Sequence, residues 1–264
     1  MKEYKTNEEL IEHLESKRVI IDNKVDNMYL KNVHFNEIYS LYNFDKNIRS
    51  IFLKYVLEFE LKIRGVMSNT FAKNYGIENC FHKNSFDENA NENDIDNLIE
   101  SIHDEITKNK GKHPAITHYD EAYGFIPPFV SIKILSFGQI SRLYGLLKQS
   151  DRNEIAKKFK INSKLLKQIL VNMTMVRNIC AHSDRLFTFH SKFFMSFKLI
   201  DSTYKMNNCS TNLYMLIRCM EKFLNKNEYD NLIKSFNNEY IKLRKNIKSI
   251  NTNVILKIMG YPNV

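Results

Sequence analysis

The chain has 264 residues, enough for one substantial core or two small apposed ones, and its 43% hydrophobic and 26% charged content is ordinary for a water-soluble globular protein. Seven glycines and four prolines are too few to punctuate many short strands, so the composition turns towards helix. The net charge of +9 favours polyanionic partners, nucleic acid first and an acidic membrane surface second. With no apolar leader at Met1-Lys2-Glu3-Tyr4-Lys5 and no run of about 18 apolar residues, a cytoplasmic chain outside the membrane is expected.

In chain order, Thr6-Asn7-Glu8-Glu9 has the capping-box pattern and predicts a short helix through Leu10, Ile11 and Leu14. Residues 32–42 fit either helix or irregular chain. From about Asp45 to Tyr75, Ile48, Ile51, Phe52, Tyr55, Phe59, Ile63, Val66 and Met67 recur at three- and four-residue steps. They predict a long amphipathic helix on which Glu60 and Arg64, four apart, can pair. The polar stretch from Gly76 to Asp94 reads as a surface connection, followed by a helix over about 94–108 and a loop at 111–114. Pro127 and Pro128 end an irregular stretch and open a helix over about 130–147, bent or restarted near Gly138.

Asp151-Arg152-Asn153-Glu154 predicts a second capping box and a short helix to Phe159, and Asn162-Ser163 then opens a long helix through Leu165, Leu166, Ile169, Leu170, Met173 and Val176. Residues 186–199 alternate enough to mimic a strand and fit a buried helix start equally well. Two helices, about 210–225 and 228–247, precede a terminal stop at Met259-Gly260-Tyr261-Pro262. Without repeats or low-complexity linkers, the expectation is one all-α domain over 1–264, residues 1–40 or so forming either part of it or a small extension.

Charge concentrates between Ser141 and Arg185, where ten basic residues (Arg142, Lys148, Arg152, Lys157, Lys158, Lys160, Lys164, Lys167, Arg177, Arg185) meet three acidic ones. This segment ends in Arg177-Asn178-Ile179-Cys180-Ala181-His182. An Arg followed by His after four to six residues marks many helical ribonucleases, yet about one such match is expected here by chance. Arg185 and His190 repeat the spacing. On a continuous helix Asn178 and His182 share a face, whereas Arg177 lies about 140° round from His182. For both to meet one phosphate, the helix must end or distort there, or a second copy must bring its own set. The second option is favoured and implies a homodimer. The competing reading makes Arg177 a surface cation and His182 a hydrogen-bonded, partly buried side chain.

Other candidates carry less. Cys80, Cys180, Cys209 and Cys219 show no paired spacing and no histidine at zinc-ligand distance, so reduced thiols and no metal are expected. Cys180 points away from its neighbour His182 on a helix and is a poor nucleophile candidate. His103, His113 and His118 read as loop histidines, and His190 as packing among Phe187, Phe189, Phe193 and Phe194. Tyr119, Tyr123, Phe125 and Phe129 fit core packing or base stacking.

Several landmarks resemble the AbiD/AbiF-like abortive-infection proteins of the HEPN superfamily. Arg177-Asn178-Ile179-Cys180-Ala181-His182 with Arg185-Leu186 looks like that family's R-N-x-x-A-H-x-x-R-L block. Leu41-Tyr42-Asn43-Phe44-Asp45, the Glu60/Arg64 pair, Pro127-Pro128-Phe129 with Leu135-Ser136-Phe137-Gly138, and Met259-Gly260-Tyr261-Pro262 resemble its other landmarks in order. Ser183 and Phe187 depart from the pattern, where relatives often carry His and Trp.

The resemblance implies a HEPN-like helical bundle with additional N- and C-terminal helices. It also implies a metal- and cofactor-free endoribonuclease acting in anti-phage defence or as a toxin, restrained by an inhibitory RNA or a protein antitoxin. His182 would move the proton of the ribose 2′-OH or of the leaving oxygen, Arg177 would bind the phosphorane, and Asn178 would orient His182 or donate to the phosphate. Arg185, Lys164, Lys167, Arg142, Lys157 and Lys158 would hold the RNA backbone. A non-catalytic RNA-binding or regulatory module is the alternative.

Overall fold

A 41-residue helix, α1 (Phe35–Tyr75), is the axis against which most of the molecule packs. Its length follows from the sequence: Leu41, Phe44, Ile48, Phe52, Tyr55, Phe59, Ile63, Met67 and Phe71 recur at helical steps and are all buried. The structure is a computed structural model that describes residues 33–78, 81–202 and 210–262. The helix expected from Thr6, and Cys80 and Cys209, lie outside the described residues.

After α1 come α2 (Glu92–Asn109), α3 (Pro114–Tyr123), α4 (Pro128–Ile134), α5 (Phe137–Leu146), α6 (Gln149–Lys158), α7 (Ser163–His182), α8 (Leu213–Cys219), α9 (Lys226–Asn246) and α10 (Asn253–Ile258). The fold is all-α. Among the described residues the only strands are the two-residue β1 (His190–Ser191) and β2 (Thr211–Asn212), paired antiparallel with His190 opposite Asn212. No helix of the described residues is long and apolar enough to cross a membrane. Among the described residues, the buried hydrophobic side chains other than Ile116 and Val130 form one connected cluster.

Polar contacts fix the helix directions. Glu37 at the start of α1 accepts from the amides of Lys248 (2.6 Å) and Ser249 (3.0 Å), just past the end of α9. Asn47 donates to Glu239 (2.6 Å), and Lys62 pairs with Glu228 (2.7 Å) at the start of α9. The two helices therefore run antiparallel along most of their contact. The Phe59 ring sits edge-on to Phe137 and Phe223, at 5.8 and 4.5 Å between centroids, locking α1 to α5 and to the chain between α8 and α9.

Several boundaries differ from the sequence reading. Helix α1 begins at Phe35 because Leu41 and Phe44 continue the buried face. The stretch read as irregular contains α3, started by Pro114 and ended by Gly124 in the left-handed region (φ 73°). The break expected near Gly138 falls at Leu135–Ser136, where Ser136 and Gln139 form a reciprocal capping box. Helix α6 starts at Gln149 without the capping box expected at Asp151. That carboxylate instead accepts from the Tyr75 hydroxyl and from Asn74 (3.0 Å). Residues 186–199 are neither strand nor helix start beyond β1 and one turn at Phe197–Leu199. Helix α10 was not expected at all.

The terminal Met259-Gly260-Tyr261-Pro262 stop is a joint. Gly260 has φ +94°, and a Cβ there would lie 2.1 Å from Asn212 Cγ. Asn212 Oδ1 accepts from Met215 N (3.0 Å) to cap α8, and Tyr214 N donates to Met259 O (3.0 Å). Gly260→Ala must therefore strain the backbone and displace the Asn212 cap, at a cost of at least about 1–3 kcal/mol. A thermal melt should show a lower Tm than Asn212→Ala, which loses the cap alone; an unchanged Tm would refute the joint.

Candidate active site

Helix α7 forms because Asn162 Oδ1 caps Leu165 N (2.8 Å) and an apolar face follows without interruption: Leu165, Leu166, Ile169, Leu170, Met173, Val176 and Cys180 are buried. It continues unbroken to His182. Ser183 ends it in the left-handed region (φ 62°), its amide and that of Asp184 both directed to the carbonyl of Ile179. The first geometric option, a helix ending or distorting between Arg177 and His182, is thereby removed.

At about 100° per residue, Lys164, Lys167, Asn178 and His182 fall within roughly 60° of one another. All four are exposed. They share one side of α7, the lysines near its start and Asn178 with His182 at its end, with the partly buried Val171 and Met175 between them. Helix α5 runs alongside: Gly138 faces Thr174, and a Cβ at Gly145 would lie 3.3 Å from Lys167 Cε. The missing side chain lets Lys167 lie down against α5. Arg142, exposed, stands on α5 between these glycines. Lys157 and Lys158 are exposed in the last turn of α6.

Arg177 takes another direction. It is half-buried (36% exposed) and lies 4.0 Å from Glu60 Oε2 of α1. Glu60, only 8% exposed, also holds Arg64, whose Nε donates to Oε1 (3.1 Å) and whose Nη1 donates to the carbonyl of Ile132 at the end of α4. Arg64 thereby satisfies a carbonyl that α4, ending in an extended residue, leaves open. Glu60 Oε2 and Arg177 Nε face each other, buried and without a hydrogen bond. The Glu60/Arg64 pair read from the sequence is thus present, and it is joined to Arg177.

A second acid–arginine pair on α1 fixes the chain after His182. Asp45 Oδ1 accepts from the amides of Leu186 (3.0 Å) and Phe187 (2.9 Å). Its other oxygen pairs with Arg49, which also donates to Asp184 O (3.2 Å). Burial raises the Asp45 carboxyl above its ordinary value, against the opposing pull of the Phe187 amide and Arg49. Arg185 is half-buried, its guanidinium 5.8 Å from the Phe187 ring centroid. Arg49 was missed in the sequence, although an Asp and an Arg four apart on a strong helix was a visible signal.

Burial pushes the Cys180 thiol up to about 12, which makes it a poor nucleophile. His190 is exposed in β1, its Nδ1 against Thr188 O (3.1 Å), and Phe193 and Phe194 are exposed too, contrary to the packing role expected for His190. A short strand at the surface turns alternate side chains outward, and His190 is the outward one. Among the described residues no group of three or more His, Cys, Asp or Glu could hold a metal ion.

Fold and site together define a helical protein whose most basic helix ends in an Arg-Asn-x-x-x-His segment, buttressed from α1 by two acid–arginine pairs. The chain belongs to the Abi-like protein family, whose profile matches residues 3–188 and so takes in the whole of this site. No curated protein and no solved structure matches it.

Asp45→Ala would leave Arg49 buried without its partner and free two amides of the turn, costing about 3–5 kcal/mol. The urea midpoint should fall accordingly, and Asp45→Ala with Arg49→Met should recover part of the loss. Equal midpoints for wild type and Asp45→Ala would exclude this anchoring.

Proposed function

We propose that the chain is a HEPN-type endoribonuclease of the AbiD/AbiF kind, acting in abortive infection, with Arg177, Asn178 and His182 at the scissile phosphate. The observation that carries the reading is the end of α7, where Asn178 and His182 face solvent on the side that also bears Lys164 and Lys167, while Arg177 waits beside a buried carboxylate. RNA brings its own nucleophile. One His182 imidazole takes the proton of the 2′-OH as its oxygen attacks phosphorus. The P–O5′ bond breaks, and a protonated imidazole or water returns a proton to the leaving oxygen, giving a 2′,3′-cyclic phosphate and a 5′-OH. The guanidinium of Arg177 balances the extra charge of the phosphorane. Glu60 positions Arg177. Asn178, one turn before His182, orients the imidazole or donates to the phosphate. Arg142, Lys157, Lys158, Lys164, Lys167 and Arg185 bind flanking phosphates.

Because Arg177 and His182 lie about 140° apart on an unbroken helix, one chain does not bring both to a single phosphate from one side. A two-fold homodimer closes the site by setting two copies of the segment across one groove. Exposed Leu57 and Leu61 (47% and 63%), beside Glu60 on α1, supply an apolar surface for it. An inhibitory RNA or protein antitoxin would act by filling the same groove. The inward turn of Arg177 towards Glu60 suits the alternative, a regulatory module that binds RNA without cutting it.

The deciding assay incubates the protein with RNA and matched DNA in EDTA. RNA alone should be cut, leaving 2′,3′-cyclic phosphate ends, and His182→Ala or Arg177→Ala should lower the rate by about 10²–10⁴-fold. Cleavage of DNA, or a His182→Ala protein as active as wild type, overturns the mechanism, and RNA binding without cleavage by wild type establishes the regulatory module. Leu57→Glu with Leu61→Glu should halve the mass in solution and abolish cleavage together; a monomer that still cuts RNA removes the dimer from the mechanism.

A further inference from the structure

Five aromatic rings gather where α3 meets α4. Tyr119 lies 5.5 Å from Tyr123 and 5.7 Å, edge-on, from Phe129, while Tyr123 reaches Phe125 (6.1 Å) and the His118 ring (5.9 Å). Tyr119 and Phe125 are half-buried and act as the base of the group, but Tyr123 and Phe129 are 59% and 49% exposed. Core packing, one of the two readings open at the sequence level, does not account for two large rings left in water on adjoining elements.

The mount is stiff. Phe129 stands in the first turn of α4, directly after the buried Pro128, and the Ser131 hydroxyl of the same turn bonds back to Pro127 O (3.1 Å). Lys133, exposed, is four residues beyond Phe129 and therefore on the same face of the helix. Between them in sequence, Ile132 gives its carbonyl to Arg64, which Glu60 links to Arg177. The rings are thus joined to the candidate active site through one guanidinium and one carboxylate.

We propose that Phe129 and Tyr123 form a stacking platform for unpaired bases of single-stranded RNA, with Lys133 on the adjoining phosphate; this rests on the nuclease reading for the identity of the strand. A flat ring beside a cation, on a chain of net charge +9, matches a base beside its phosphate. Paired bases hide their faces inside the duplex, so the platform selects single strands and unpaired loops and delivers them towards Arg177.

Binding can be read apart from cleavage. In a His182→Ala background, fluorescence anisotropy measures the affinity for a short unstructured RNA and for the same RNA in a duplex. The single strand should bind more tightly. Phe129→Ala with Tyr123→Ala should weaken single-strand binding by about tenfold or more and leave duplex binding unchanged. Phe129→Tyr should retain affinity, whereas Phe129→Leu, equally apolar but without a π face, should lose it. The slope of affinity against salt should stay the same for the ring variants and fall for Lys133→Ala. Equal single-strand affinity with and without the rings overturns the platform, as does a change in oligomeric mass as their only effect, which would assign the patch to a protein contact. A wild-type protein that binds RNA without cutting it overturns the nuclease reading and leaves the platform to its binding data.

Discussion

One side of the long helix α1 carries two carboxylates, each followed one turn later by an arginine: Asp45 with Arg49 and Glu60 with Arg64. Fifteen residues separate the carboxylates, about 22 Å along the axis, and both end on the side that meets α7. Neither pair is a surface ornament. Each is largely withdrawn from water, and each reaches past itself to a different element: Asp45 and Arg49 to the backbone of the turn after His182, Glu60 to Arg177, Arg64 to the end of α4. Charges buried this way are costly unless fully engaged, so the register of α7 against α1 is strongly specified. A slip of one turn would leave both carboxylates facing the wrong partners.

This explains why landmarks far apart in the chain belong together. The Leu-Tyr-Asn-Phe-Asp segment supplies Asp45, and its use is to hold the amides of Leu186 and Phe187. The Glu60/Arg64 spacing joins Arg177 to the helix that follows Pro127-Pro128. The Leu-Ser-Phe-Gly segment supplies the Ser136 cap and the Gly138 contact with α7. Met259-Gly260-Tyr261-Pro262 clasps Asn212, whose strand pairs with the one just after the Asp45-anchored turn.

Much of the fold was legible because helical periodicity and caps are local signals. The apolar steps from Ile48 to Met67 and the Asn162 cap of α7 are present in the chain whatever surrounds them. What escaped was set by contacts from elsewhere. Asp151 has the letters of a capping box, but its carboxylate is taken by Tyr75 and Asn74, and no local rule weighs that competition. Residues 186–199 alternate like a strand, yet they are held by side chains of α1 and α7 and find a partner strand of only two residues. At the site, spacing alone put Arg177 and His182 on different sides of one helix, and α7 runs straight through them. The place of Arg177 could not be read without knowing that Glu60 arrives from more than a hundred residues earlier.

A glycine of α5 also bears on how the lysines near the start of α7 would work. With no side chain at Gly145, the stem of Lys167 rests on backbone, so its rotamers are already thinned out before any phosphate comes near. Lys157 and Lys158 are exposed in the last turn of a helix. A long lysine forfeits up to about 2 kcal/mol of rotational freedom when it is pinned. Lys167 has forgone part of that freedom during folding, so on the proposed reading more of its attraction for a phosphate would be realised as affinity.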